Sequence, residues 1–137
     1  MNKRYKKGFI CGMFDLFHTG HFDILRTAKE MCEYVIVAVG TDEFYRVRKN
    51  REPMESHSKR VEHIKAIRYV DEVVEQTDLD KVAMYHKYHF DAMFSGEDHK
   101  FEDCYIHATK ELKKMGVDTI YLSRCGITST KLREFIY

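Results

Sequence analysis

An α/β fold, with a Rossmann-like doubly wound five-stranded parallel sheet in three αβα layers, is predicted by three features of this chain. Short apolar runs alternate with stretches of helical periodicity along its 137 residues. The clearest run, Tyr34-Val35-Ile36-Val37-Ala38-Val39, is unbroken, rich in β-branched residues and ended by Gly40, as expected of a strand buried on both faces. Strands separated by helices pair in parallel, because parallel neighbours need a crossover, which is almost always right-handed.

The elements follow in order. Phe9 to Cys11 reads as a short buried strand. A helix carrying Ile24, Leu25, Ala28 and Met31 on one stripe comes next, and then the Tyr34–Val39 strand. Thr41 is suited to cap a short helix begun by Asp42 and Glu43. Arg46 to Ser58 reads as irregular and polar, and holds the only proline, Pro53. A helix from Lys59 to Arg68 turns Val61, Ile64 and Ile67 inward, and Val70 to Val74 forms a third strand. Asp80 to Tyr88 is helical, Phe90 to Phe94 is a fourth strand stopped by Ser95-Gly96, and Glu102 to Met115 is a helix closed by Gly116. Thr119 to Leu122 is the fifth strand, and Thr128 to Phe135 makes a last helix.

Composition narrows the function. The length fits one domain over residues 1–137, and 44% apolar with 33% charged residues is a globular mix. Lys plus Arg is 23 against 22 acidic residues, which gives no reason to expect a nucleic-acid partner. No run approaches the roughly 18 apolar residues of a membrane helix, and the apolar segment behind the basic N-terminus is too short for a signal-peptide core. Cys11, Cys32, Cys104 and Cys125 show no C-x-x-C spacing. They are expected to be reduced thiols of a cytoplasmic protein, with Cys11 and Cys32 packed in the core.

Ligands of such sheets sit beyond the carboxyl ends of the strands. That directs attention to Gly12–His21, Gly40–Thr41, Ser95–His99 and Ser123–Thr130, where the polar motifs of this chain fall. His18 and His21 lie three apart at the start of the first helix and so share a face. Gly20 leaves that surface open to close approach. The helix N-terminus adds free N–H groups and a positive dipole end, which together suit a phosphate chain. H-x-x-H alone also fits a metal pair, but no third His or Cys stands in a zinc-ligand spacing.

The segment Gly12-Met13-Phe14-Asp15-Leu16-Phe17-His18-Thr19-Gly20-His21 resembles the H-x-G-H motif of the nucleotidyltransferase superfamily. With Thr41-Asp42-Glu43-Phe44, Ile67 to Val73 and Gly126-Ile127-Thr128-Ser129-Thr130, the chain is most similar to the cytidylyltransferase branch, the glycerol-3-phosphate cytidylyltransferases in particular. The resemblance implies transfer of CMP from CTP to an alcohol phosphate, with Mg2+ carried on the substrate phosphates, in a homodimer that serves cell-surface polymer synthesis. An adenylyltransferase using ATP and a catalytically silent nucleotide-binding regulator are the alternatives.

The resemblance also assigns residues. His18 and His21 would hold the triphosphate and stabilise the transition state. Gly12, Met13, Phe14 and Gly20 would line the nucleotide loop. Asp15 would orient that loop, or act only as a turn residue. Arg124 would match the arginine of an R-T-x-G-x-S-T-T signature, with Gly126, Ile127, Thr128, Ser129 and Thr130 holding the β- and γ-phosphates. Arg60 and Arg68 would meet phosphates, or serve as surface ion pairs. Gly96, Glu97 and Asp98 would contact the ribose or base. The chain departs from the pattern in three places. Arg46, Arg48, Lys49 and Arg51 stand where the family has a lysine pair, and Arg48 or Lys49 would close over the phosphates as a mobile loop. The signature is one residue shorter, with Cys125 in place of Thr. Asp98-His99-Lys100 replaces an aromatic and Gly-Lys segment beside the acceptor pocket.

Overall fold

A computed structural model describes residues 3–123. Its five strands, β1 (Tyr5–Gly12), β2 (Cys32–Gly40), β3 (Glu72–Gln76), β4 (Ala92–Gly96) and β5 (Asp118–Leu122), form one sheet in the order β3-β2-β1-β4-β5, all parallel. The helices are α1 (Thr19–Met31), α2 (Asp42–Lys49), α3 (His57–Lys65), α4 (Lys81–Tyr88) and α5 (Asp103–Lys114), with a 3-10 turn at Glu97–His99. The expected α/β sheet is therefore present.

Alternation along the central strands splits the core in two. Ile10, Val35, Val37, Val39 and Phe94 face α1 and α3, where Ile24, Leu25, Ala28 and Ile64 are buried. Phe9, Ile36, Ala38 and Met93 face the other way, onto Tyr105, Ala108 and Leu112 of α5, with Val82 and Tyr85 of α4 beside them. These two apolar layers make the three-layer architecture. Cys32 is fully buried, as expected, whereas Cys11 is half-buried; both are free thiols.

Local signals account for most boundaries. Thr41 accepts from the Phe44 N–H, Ser56 from Lys59 and Asp80 from Ala83, each the cap of the helix that follows. Gly116, at φ 85, follows α5 as a residue free to turn left-handed. The differences are equally physical. β1 begins at Tyr5, earlier than its apolar run, because the Asp91 carboxylate accepts from the Lys6 and Lys7 N–H groups at 3.1 and 2.8 Å and holds polar residues in the strand. α2 continues to Lys49, so Arg46 to Lys49 are helical where an irregular stretch was expected. Its apolar Phe44 and Tyr45 are buried, and Asn50 ends it in the left-handed region. Arg124, Gly126, Ile127, Thr128, Ser129, Thr130 and the expected Thr128–Phe135 helix lie outside the described residues.

Candidate active site

The exits of β1, β3 and β4 open into a cleft between α2 on one side and the Glu97–His99 turn on the other. This is the crevice that the strand order creates where β1 has β2 and β4 as neighbours. Gly12, Met13, Phe14, Asp15, His21, Arg48, Lys49, Gly96 and Asp98, all expected at the site, line it. Arg48, Lys49, Arg51 and Lys81 supply cations to the lining, against Asp15 and Asp98. Such a balance favours an anionic ligand.

The histidine motif closes the α1 N-terminus. His18 is the N-cap, and its Nδ1 accepts from the Gly20 N–H at 3.0 Å. The His18 N–H donates to His21 Nδ1 at 3.3 Å. The rings stack with centroids 3.9 Å apart, and Phe14 and Phe17 flank His21 at 5.3 and 5.5 Å. Each ring thus spends Nδ1 as an acceptor for a backbone N–H. A neutral imidazole held in this way carries its proton on Nε2, the nitrogen that can donate to an oxyanion; His21 lines the cleft, and His18 sits behind it with its Nε2 buried. The residue spacing that shares a helix face therefore also fixes the tautomer.

The loop before the pair is held by a buried carboxylate. Asp15, only 2% exposed, accepts from Tyr45 Oη at 3.0 Å, the Met54 N–H at 2.9 Å and the Glu55 N–H at 3.0 Å. Glu55 returns the tie by accepting from the Leu16 N–H at 3.0 Å. Phe14 and Leu16, on either side of Asp15, have φ of 53° and 52°, a region that side chains rarely adopt. The network on Asp15 and Glu55 holds this turn in place.

Two expected phosphate ligands are placed elsewhere. The Arg60 side chain is fully buried beneath the loops. It donates from Nε to the Glu55 carbonyl at 2.9 Å, from Nη1 to the Met13 and Gly40 carbonyls at 2.9 and 2.7 Å, and from Nη2 to Asp42 at 2.7 Å. Its donors are directed at three loop carbonyls and a carboxylate, and Tyr45 lies under the guanidinium at 5.5 Å. It ties the ends of β1 and β2 together. Gly40 permits that junction, since a Cβ there would meet Met13 Sδ. Arg68 lies between α3 and the start of β3, at the opposite end of the sheet, because the entry to a parallel strand faces away from its exit; it donates to Tyr69 Oη at 3.0 Å. Glu97 is exposed in the 3-10 turn and outside the cleft lining, and Arg48 and Lys49 extend from a helix rather than a loop.

Lys81 was not anticipated. It opens α4, is 2% exposed and lines the cleft, with its Nζ 4.0 Å above the Tyr105 ring. Among the described residues that ammonium finds no hydrogen-bond acceptor. Desolvation by burial, with Cys11 nearby, pushes the Tyr105 hydroxyl strongly up, so it stays neutral. A buried ammonium without an acceptor is costly unless a ligand supplies one. The sequence held a faint signal: a cation in the first turn opposes the helix dipole. Gln76, Ser95, Tyr105 and His99 complete that wall.

Comparison with known proteins shows the family of the chain. A cytidylyltransferase-like family profile matches residues 9–135. The glycerol-3-phosphate cytidylyltransferase of Staphylococcus aureus is 33% identical over 134 residues, covering 96% of each chain. The FAD synthase of Thermococcus kodakarensis is 47% identical over 62 residues, but these are 45% of this chain and 42% of that one. Among solved structures, the lipopolysaccharide core biosynthesis protein of Thermoplasma volcanium superposes with TM-score 0.75 at 22% identity, over 88% of this chain and 98% of its own, a likeness of fold. By the extent of the profile and of the full-length relative, the chain belongs to the cytidylyltransferase-like family.

Proposed function

We propose that the cleft transfers CMP from CTP to an alcohol phosphate, with glycerol-3-phosphate as the leading acceptor. The observation that carries this reading is the stacked histidine pair on the α1 N-terminus, with both Nδ1 atoms engaged by backbone N–H groups. Relatives named glycerol-3-phosphate cytidylyltransferase over 96% of the chain support CTP and that acceptor.

An oxygen of the acceptor phosphate attacks the α-phosphorus of CTP in line. The new P–O bond forms as the bond to the β-phosphate oxygen breaks, and pyrophosphate leaves with that electron pair. No residue need become covalently attached; the protein aligns two anions and stabilises the charge that develops. His18 and His21 donate through Nε2 to the phosphate chain. Arg48 and Lys49 extend from the α2 wall toward the same charges. Lys81 gives its ammonium to the acceptor phosphate across the cleft. The family resemblance assigns the β- and γ-phosphates to Arg124 and to Gly126, Ile127, Thr128, Ser129 and Thr130. Among the described residues no group of three or more His, Cys, Asp or Glu could hold a metal ion. The resemblance assigns Mg2+ to triphosphate oxygens and water, where it would neutralise charge, and no step runs through a protein-bound ion. We place this chemistry in a cytoplasmic homodimer on the strength of the resemblance; the product would be an activated precursor for a cell-surface polymer.

The test is phosphorus NMR of the protein with Mg2+, CTP and glycerol-3-phosphate, beside a reaction with ATP and FMN. The account expects pyrophosphate and a CDP-alcohol from the first mixture and no dinucleotide from the second. FAD formed from ATP, with no turnover of CTP, would establish the adenylyl alternative suggested by the partial FAD synthase match. CTP binding without product from any acceptor phosphate would mark a silent regulator.

A further inference from the structure

The mouth of the cleft is bridged by a single carboxylate. Arg48, in the last turn of α2, donates from Nη2 to Glu102 Oε1 at 2.9 Å. The other oxygen, Oε2, meets His99 Nδ1 at 2.8 Å. Glu102 thus joins the α2 wall to the wall formed by the 3-10 turn, where the His99 ring stacks on Tyr105 at 5.1 Å. Its position in the fold makes this notable. Glu102 is the N-cap residue of α5, yet its side chain makes no capping bond. Its two oxygens are directed instead at two residues of the cleft lining.

We propose that Glu102 is a positioning residue that competes with substrate phosphate for Arg48. Glu102 holds the guanidinium at the mouth; when a phosphate arrives, Arg48 exchanges partners and Glu102 keeps its contact with His99. The magnitudes allow this. The Arg48 and Glu102 side chains are 36% and 35% exposed, so water screens the pair and its hold is weak. A phosphate chain carries more negative charge than one carboxylate and offers an arginine two-pronged contacts. The exchange is therefore favourable, and the resting pair reduces phosphate affinity by the strength of one partly exposed ion pair, roughly two- to fivefold.

This inference rests on the cleft being the phosphate site proposed above, so its test reads binding rather than turnover. Calorimetric titration with inorganic tripolyphosphate at fixed ionic strength is run on the wild type, Glu102→Gln, Arg48→Gln and the double variant. Glu102→Gln should bind roughly two- to fivefold more tightly, and the gain should vanish in the Arg48→Gln background. In CTP turnover the same variant should lower KM while leaving kcat nearly unchanged. A purely structural role for Glu102 would instead weaken binding in both backgrounds. Glu102 makes no cap bond, so the variant is expected to melt with the wild type; Glu102→Ala gives a second reading of the same sign. Unchanged or weaker binding in both Glu102 variants, a gain that survives loss of Arg48, or no tripolyphosphate binding at all would overturn the proposal. Tight tripolyphosphate binding without any CDP product would refute the assigned reaction and leave the exchange standing.

Discussion

Replacing Arg60 by methionine separates two accounts of that residue. Methionine keeps much of the length and removes every donor. Three carbonyls, those of Met13, Gly40 and Glu55, then lose a charged donor, and the Asp42 carboxylate keeps the His57 N–H at 2.9 Å. Removing one partner of a buried ion pair costs about 3–5 kcal/mol. Each hydrogen bond from a charged donor is worth about 1.5–3 kcal/mol net, and these contributions overlap with the ion-pair cost rather than add to it. Asp42 is one-third exposed and can rehydrate, which brings the expected loss to about 4 kcal/mol. That is a large share of the roughly 5–15 kcal/mol that holds a domain together. Urea unfolding followed by tyrosine fluorescence or circular dichroism measures it, with the slope m showing whether the transition stays comparable. Arg60→Lys should recover only part of the loss, since one ammonium cannot span four separated acceptors. Were Arg60 a substrate ligand, Arg60→Met would raise KM for CTP and leave stability nearly intact. A loss below about 1 kcal/mol at unchanged m would refute the buried-clamp reading.

Three further outcomes follow from the same geometry. Lys81→Met should raise the melting temperature, because it removes a buried ammonium that finds no acceptor among the described residues, while raising KM for the acceptor phosphate at least tenfold; thermal melts and initial rates check both. Asp15→Asn replaces a carboxylate that accepts three hydrogen bonds by an amide with one acceptor oxygen, so Tm should fall by roughly 5–10 °C and CTP binding should weaken with it. Burial pushes the Cys32 thiol up to about 12, with the nearby Asp91 carboxylate adding to the shift. Iodoacetamide at pH 8 should therefore label Cys32 only after unfolding, as read by peptide mass spectrometry. The sign of the linked stability follows. The contribution of Cys32 is complete below the unfolded thiol's pKa of about 8.5 and is lost as pH rises from there toward about 12. Cys32→Ala should flatten that alkaline decline.

Much of the fold and half of the site could be read from residue order. An unbroken β-branched run such as Val35–Val39 has one good use, a strand buried on both faces, and Thr41 and Asp80 are caps wherever a helix follows. The histidine pair was legible because its spacing and its place at a strand exit are both sequence properties. Arg60 was not, because an arginine in an amphipathic helix reads the same whether its guanidinium faces water or three backbone carbonyls. Only the tertiary meeting of Met13, Gly40 and Glu55 decides it. Lys81 was hidden for a related reason: beside Asp80 it looks like one half of a solvated charge pair, and its burial comes from Tyr105, 24 residues further along. Arg68 shows the reverse error. A motif match carried it toward the phosphates, whereas the parallel topology puts the entrance of β3 at the far end of the sheet.

The central claim is that the paired imidazoles at the start of α1 stabilise the charge that develops as pyrophosphate departs. The most direct measurement is the rate of pyrophosphate release under saturating CTP and acceptor for His18→Ala and His21→Ala, beside the wild type. The account predicts a fall in kcat of at least about a hundredfold in each, with secondary structure by circular dichroism unchanged. Wild-type kcat in both variants would contradict it.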